Sequence, residues 1–556
     1  MERSTRGILA PLIVMMFVSS IFFSIGELDA GQREITTADR LAILYTPQFN
    51  FTREGEPLIH VGVLKGVDSV EFSSDAAVRV LPLGDGGPEL SVGPKKTLKM
   101  SVSKGRPGRY RHWVVVERVA YGDSGALEKA IERWVGRGYL PTSHEVGGLF
   151  AVGGRRFDSR VALVGVGGFK KRADARELSE RLSMRFGIET EQHTELLEHA
   201  SATLTLKGMG SSLIHKDVVW VGPTKVGQIF KLQTGNGERR FKGGMVFTAD
   251  RNGHLAVVNS VPAEVLVKGV VPSEVYTSAP MEALKAQAVA ARGTMLSYLG
   301  VRHLADPFKL CSDVHCQVYS GISKENPRTN KAVEATRGQV MFESKSLGGD
   351  WRIVDARYSS SCGGHSEHND LVWGGVAHPY LRGGPDMARL PKAFAGGITD
   401  RNIRRWLKKD ISAWCNTKKF GGKRTFRWER SVGVEEVEAN IAKRKRIGRL
   451  RDIRILKRGV SGRVIQMELV GDSGALELDR ELAIRRVFGG LRSSMFALTI
   501  VRDDSGLPAR FDFVGGGFGH GAGMCQTGAT MMADAGRDHD EILHHYYKGI
   551  ALKALY

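Results

Sequence analysis

Two acids and one knot of thiols and imidazoles are the residues of this sequence whose types and spacing could do chemistry. Glu282 stands in "PMEALKAQAVAAR", and Glu274 precedes it in "VPSEV". A carboxyl kept protonated can give its proton to a leaving oxygen, provided an apolar cleft or a neighbouring acid raises its pKa. Glu282 also has a plain structural explanation, because an acid in a first helical turn favours the helix dipole and Lys285 at i+3 can pair with it. Cys311, His315 and Cys316 crowd into "CSDVHCQVY", Cys362 opens "CGGHSEH", and Cys415 and Cys525 are isolated in the chain. Grouped thiolates and imidazoles suit a closed tetrahedral zinc site. In an oxidising compartment Cys311 and Cys316 could pair as a disulfide instead, so the sequence leaves both chemistries open.

Other motifs carry less. "GDSG" occurs at 122–125 and 471–474 before helix- or strand-like "ALE", and both copies read as turns rather than nucleophile loops. "GGGFGHGAGM" (515–524) lies between a strand-like "ARFDFV" and a helix-like "QTGATMMADAG". A dinucleotide site there would need a further strand and an acid about twenty residues on in a complete βαβ unit. Glycines around His520 would instead let a ligand approach the backbone closely. "HHYYKG" (544–549) reads as a packed helix rather than a site.

These residues need elements to position them. Good helix formers run through "EALKAQAVAA", with Ser278 the expected N-cap and Pro280 in the first turn. Leu284, Ala288, Ala291 and Met295 recur at helical spacing as a buried stripe, from which Glu282 points about 160° away. Upstream, residues 111–195 read as strand, helix, strand, twice: "HWVVVERVA", "GALEKAIERWVGRGY", "GGLFAVGG", then "RVALVGVGGF", "KRADARELSERLSMRFG", "IETEQ". That pattern predicts a split, ferredoxin-like sheet with both helices on one face. Residues 31–110 alternate short apolar runs with Gly/Pro turns and read as a β-rich region or linker, with 196–244 as a connecting segment. The expected class is α+β and multidomain.

The 556 residues carry 80 Lys+Arg against 60 Asp+Glu, a net charge of +20, with basic runs at 418–430 and 442–458. An anionic surface is the implied partner: nucleic acid, lipid headgroups or cell-wall polymer. Arg3 and Arg6 precede an apolar run from Ile8 to Ile25, which reads as an export signal cleaved after Ala30 or kept as an N-terminal anchor, with domain boundary 1–30. No second long apolar run follows, so membrane contact is expected only through that segment, in a periplasmic or cell-envelope protein. An exported location argues against nucleic acid.

Two resemblances sharpen this reading. "VALVGVGGFKKRADARELSERL" resembles the SPOR domain, an exported module that binds peptidoglycan strands stripped of stem peptides; the likeness spans 111–195. Over 245–556, "VPAEVLVKGVVPSEVYTSAPMEALKAQAVAAR", "HCQVYSG", "ATRGQVMF", "YSSSCGGHSEHNDLVWGG", "PYLRGGPD" and "GGGFGHGAGMCQTGATMMADAGRDHDEILHHYYKGI" occur in order and resemble the SpoIID/LytB family. That family includes lytic transglycosylases acting on denuded glycan and non-catalytic enhancers of cell-wall amidases. The resemblance implies cleavage by one general acid with a 1,6-anhydro-muramic acid product, and puts the acid on Glu282; Glu274, the nearest other acid, is the second candidate. Beside this, Tyr358, Ser359, Ser360, His520 and Gln526 are the candidate substrate contacts, unless their polar groups only satisfy local backbone bonds. The resemblance also favours one structural zinc on Cys311, His315 and Cys316, with His303 or Cys362 as the fourth ligand. Departures from the family pattern are "AARGTML" after the helix start and Cys525 where serine is common.

Overall fold

The computed structural model describes residues 37–556, apart from short stretches at 49, 53, 82–89, 153, 187–189, 209, 211, 347–348, 350 and 375. The expected export segment at 1–30 lies outside the described residues. Among those described, no helix is long and apolar enough to cross a membrane. The α+β, multidomain expectation holds: helices and several sheets alternate along the chain.

Two sheets face each other in the N-terminal half. In the first, Pro57–Val67 pairs antiparallel with Leu255–Pro262, followed by Gly244–Ala249, Val218–Pro223, Val78–Leu81 and Leu90–Val92. The second runs Leu213–Lys216, Ser201–Lys207, Leu98–Arg106, Ser69–Ser74, Phe230–Thr234 and Gly237–Phe241. Their inner faces meet in one apolar core, where the Phe72 and Phe247 rings lie 4.8 Å apart. Described strands within 57–106 and within 201–241 thus belong to the same two sheets, on either side of the boundaries expected at 110 and 196, and Gly244–Ala249 and Leu255–Pro262 continue the first sheet past 244. Strands such as Ser69–Ser74 and Ser201–Lys207 bury one side, whereas Gly244–Ala249 and Leu255–Pro262 are buried on both. Partners such as Leu255–Pro262 and Pro57–Val67 lie far apart in the chain, out of reach of local periodicity.

Between these strands is the double strand–helix–strand unit. Its sheet order is Glu191–Glu198, Arg109–Ala120, Val161–Phe169, Thr142–Val146, all antiparallel. Helices Ser124–Gly136 and Arg172–Phe186 cover one face and share a core built on Ala130, Trp134, Ala175, Leu178 and Leu182. The "GGLFAVGG" segment departs from expectation, since Leu149–Val152 leaves that sheet and forms a hairpin with Arg155–Asp158. Phe150 and Phe157 of the hairpin join the sandwich core beside Phe342, a larger apolar surface than the small sheet offers.

After the last sandwich strand come helices Ala263–Glu274 and Met281–Ser297. The second begins after Pro280, whose extended backbone precedes the first turn without a side-chain cap, so Ser278 is not the N-cap. It is buried on all sides from Ala283 to Leu296 except at Lys285, not along a single stripe. Its alanines let helices Pro327–Ala335, Gln526–Asp534 and His539–Tyr546 pack around it. A fully buried Arg292 clamps Glu264 with two 2.8 Å hydrogen bonds, Nε to Oε1 and Nη2 to Oε2, joining the two central helices. Both copies of "GDSG" are turns: Asp123 caps a helix and 471–474 reverses a hairpin.

Candidate functional site

The helix Ala263–Glu274 carries Pro272 in its last turn and gives way to extended backbone at Val275. Glu274 is thus delivered at a helix end into a cleft of about 340 Å³, lined also by Tyr276, Ser360, Phe420, Gln526 and Thr527. Burial pushes the Glu274 carboxyl above the ordinary carboxylate range; the Val318 N–H, 3.4 Å from Oε1, and Lys324 only partly oppose it. The negative end of its own helix acts in the same upward direction.

Glu282 is outside that lining, and its surroundings have the opposite effect. Burial alone would raise its pKa, but hydrogen bonds from Lys285 and His539 prevail and hold the carboxyl below the ordinary range. Lys285 Nζ lies 2.7 Å from Oε1, while the His539 backbone N–H and ring Nδ1 lie 3.1 and 2.9 Å from Oε2. This acid ties the start of one helix to the start of another.

The five residues expected to touch substrate divide. A short parallel pairing of Tyr358–Ser359 with Met524–Cys525 carries the chain directly into Ser360 and Gln526, which emerge together at the cleft. Gln526 Nε2 donates to the Glu274 carbonyl at 2.9 Å and to Gln287 Oε1 at 3.1 Å, fixing the acid's backbone against the neighbouring helix. The Tyr358 hydroxyl accepts from Gln317 Nε2 at 3.3 Å, and burial, with the Glu274 carboxyl as a lesser cause, pushes its pKa well up. Tyr358, Ser359 and His520 are not in the cleft lining. His520 Nδ1 accepts the Ala522 N–H at 3.1 Å, its ring lies 4.7 Å from that of Trp373, and burial with nearby Arg357 and Arg463 pushes its pKa down to about 3.

Sequence reading missed Tyr276, Phe420 and Gln287. Tyr276 is 62 % exposed although aromatic, and Phe420 has a left-handed backbone with φ of 49°. Gln287 was visible within "EALKAQ", but the partner that gives it meaning comes from residue 526.

The thiols and imidazoles form two groups. His303, Cys311, His315 and Cys316 place one ligand atom each within 4.8 Å of the others. Cys316 Sγ lies 3.3 Å from His303 Nε2 and 3.7 Å from His315 Nδ1, and Cys311 Sγ lies 3.6 Å from His315 Nδ1. Behind His303, Nδ1 is 2.8 Å from Asp306, which a bidentate Arg251 holds in turn; a carboxylate there orients an imidazole that presents Nε2 to a metal. This two-sulfur, two-nitrogen set fits a closed tetrahedral zinc site. Cys362 is not its fourth member: it lies with Asp386, Cys415 and Cys525 in a second group.

Comparison with known proteins finds matches over this half of the chain. A family model described as stage II sporulation protein matches residues 251–342, which hold both central helices and the first thiol group. A second model, a domain of unknown function, matches 367–523. An uncharacterized protein of Brachyspira hyodysenteriae is 30% identical over 335 residues, covering 59% of this chain and 77% of the relative. The amidase enhancer of Bacillus subtilis is 29% identical over 303 residues, 51% of this chain and 40% of that protein. Stage II sporulation protein D of Bacillus amyloliquefaciens is 27% identical over 315 residues, 53% of this chain and 74% of the relative.

Proposed function

This chain belongs to the SpoIID/LytB family, and on that premise we propose that it is an exported peptidoglycan lytic transglycosylase acting on glycan strands that lack stem peptides. The observation that carries the reading is Glu274, a carboxyl that burial biases toward its protonated form at the edge of a cleft. Glu274 gives its proton to the glycosidic oxygen as the bond to C1 breaks. The sugar's own C6 hydroxyl attacks C1 and returns a proton to the carboxylate, so no water is consumed and the new end is 1,6-anhydro-muramic acid. One carboxyl suffices where hydrolysis needs two. Tyr276 and Phe420 offer faces for sugar rings, and Ser360, Gln526 and Thr527 offer polar contacts. Glu282, the acid the resemblance favours, is assigned a structural role instead, because an ion-paired carboxylate has no proton to give.

Zinc on His303, Cys311, His315 and Cys316 has a structural part in this reading. The loop it would close runs straight into Gln317 and Val318, which contact Tyr358 and Glu274. The SPOR-like unit at 109–198 serves as the module that holds denuded strands.

The similarity to an amidase enhancer supports a second reading, a non-catalytic binder of denuded glycan that assists a cell-wall amidase. Product analysis separates the two. Purified protein alone, given denuded strands, should release anhydro-muramic ends and should spare peptide-bearing strands. Binding without new ends would favour the enhancer; equal cutting of both substrates would defeat the claimed specificity.

A further inference from the structure

Cys362, Cys415 and Cys525 come from sequence positions far apart, yet all are buried and free in one place. With the Asp386 carboxylate they place four ligand atoms within 4.8 Å of one another. Cys362 Sγ lies 3.6 Å from Cys415 Sγ and 3.3 Å from Asp386 Oδ2. In a tetrahedron with zinc–sulfur bonds of about 2.3 Å, neighbouring sulfurs stand about 3.8 Å apart. The geometry points to a second thiolate-rich zinc site, formed by Cys362, Asp386, Cys415 and Cys525, that ties the 367–523 region to helix Gln526–Asp534.

The surroundings match a site built for anionic ligands. Asp386 Oδ1 is occupied by the Tyr546 hydroxyl at 2.8 Å and lies 3.4 Å from His545 Nε2, which leaves Oδ2 toward the sulfurs. Outer partners of this kind fix a ligating carboxylate. Cys525 precedes the first turn of helix Gln526–Asp534, where its sulfur accepts the Cys362 N–H at 3.2 Å and the Gly528 N–H at 3.4 Å. N–H donors and the positive end of a helix favour thiolate over thiol. Gly528 allows the approach, for a Cβ there would stand 2.7 Å from Asp386 Oδ2. Arg427 and Arg463 add positive charge against the extra negative charge of three thiolates and a carboxylate around a divalent ion. Binding expels the thiol protons to water and changes no oxidation state.

The ligands also explain why this site matters to the cleft. Cys525 is followed by Gln526, which anchors Glu274, and Cys362 follows the Ser360 that faces it. A metal here would lock both cleft walls to the Asp386 and Cys415 loops.

The test uses the full chain, purified reduced, with zinc and cobalt(II) as probes. Wild type should hold about two zinc ions and Cys316→Ser about one, because only the His303 group is disabled. Cobalt(II) in the Cys316→Ser background should show intense sulfur-to-metal charge-transfer absorption, lost when Cys415→Ser is added. Should that double variant fail to fold, Asp386→Asn in the Cys316→Ser background should lose metal to a chelator at least ~10-fold faster. One ion in both wild type and Cys316→Ser would still uphold this site while removing zinc from the His303 group. A folded Cys316→Ser chain that binds neither zinc nor cobalt overturns the proposal, as does a Cys362–Cys415 disulfide in protein recovered from its exported compartment.

Discussion

Glu274 and Glu282 sit eight residues apart and titrate in opposite directions, which gives each a distinct pH signature. A buried acid with a raised pKa contributes stability below its unfolded value and loses it as pH rises through the folded value. Glu274→Gln should therefore melt at or above the wild-type temperature at pH 8, while wild-type cleavage should fall along an alkaline limb displaced above the ordinary carboxylate range. Glu282 has the reverse sign: its pairing stabilises above the unfolded carboxyl pKa and fades as pH falls through the lowered one. Because it is partly exposed, Glu282→Gln should cost only about 0.3–1 kcal/mol at neutral pH, and that cost should vanish in parallel thermal melts once the pH is well below the lowered folded value. Sequence showed both acids but could not rank them. First-turn position and Lys285 made Glu282 legible as a dipole partner, whereas the burial of Glu274 depends on Val318, Gln526 and Phe420, which reach it from distant parts of the chain.

At the scale of elements, the pairing of the two central helices rests on Glu264 and Arg292, both buried, with Tyr556 and the Gly338 N–H completing the carboxylate's bonds. Removing one partner strands the other charge, so Glu264→Ala should destabilise by about 3–5 kcal/mol in urea unfolding. Lys268→Ala, which breaks the exposed pair with Glu334, should change stability by less than about 1 kcal/mol. The strand–helix–strand repeat, the central helices and the glycine loop before Gln526 were legible because each has its own local period or turn chemistry. The sandwich was not, since 57–67 finds its partner at 255–262. Nor was the second thiol group, whose members have no shared spacing and meet only through packing.

Across the whole molecule, the proposed function would have the Glu274 cleft and the double strand–helix–strand unit meet the bare sugars of one cell-wall polymer, while the net charge of +20 favours its anionic groups. The hairpin carrying Phe150 and Phe157 fastens the double strand–helix–strand unit to the sandwich, which also supports the first central helix. Glu274→Gln should accordingly still bind denuded strands, since neither the module nor the cleft's sugar contacts change. The measurement that decides the account is release of 1,6-anhydro-muramic ends from denuded glycan by wild type, Glu274→Gln and Glu282→Gln at equal concentration, with folding checked for each. Glutamine keeps the shape but has no proton to donate, so Glu274→Gln should fall by about 100-fold or more while Glu282→Gln stays within about threefold of wild type. Full activity in folded Glu274→Gln, or loss confined to folded Glu282→Gln, would contradict the assignment of the acid.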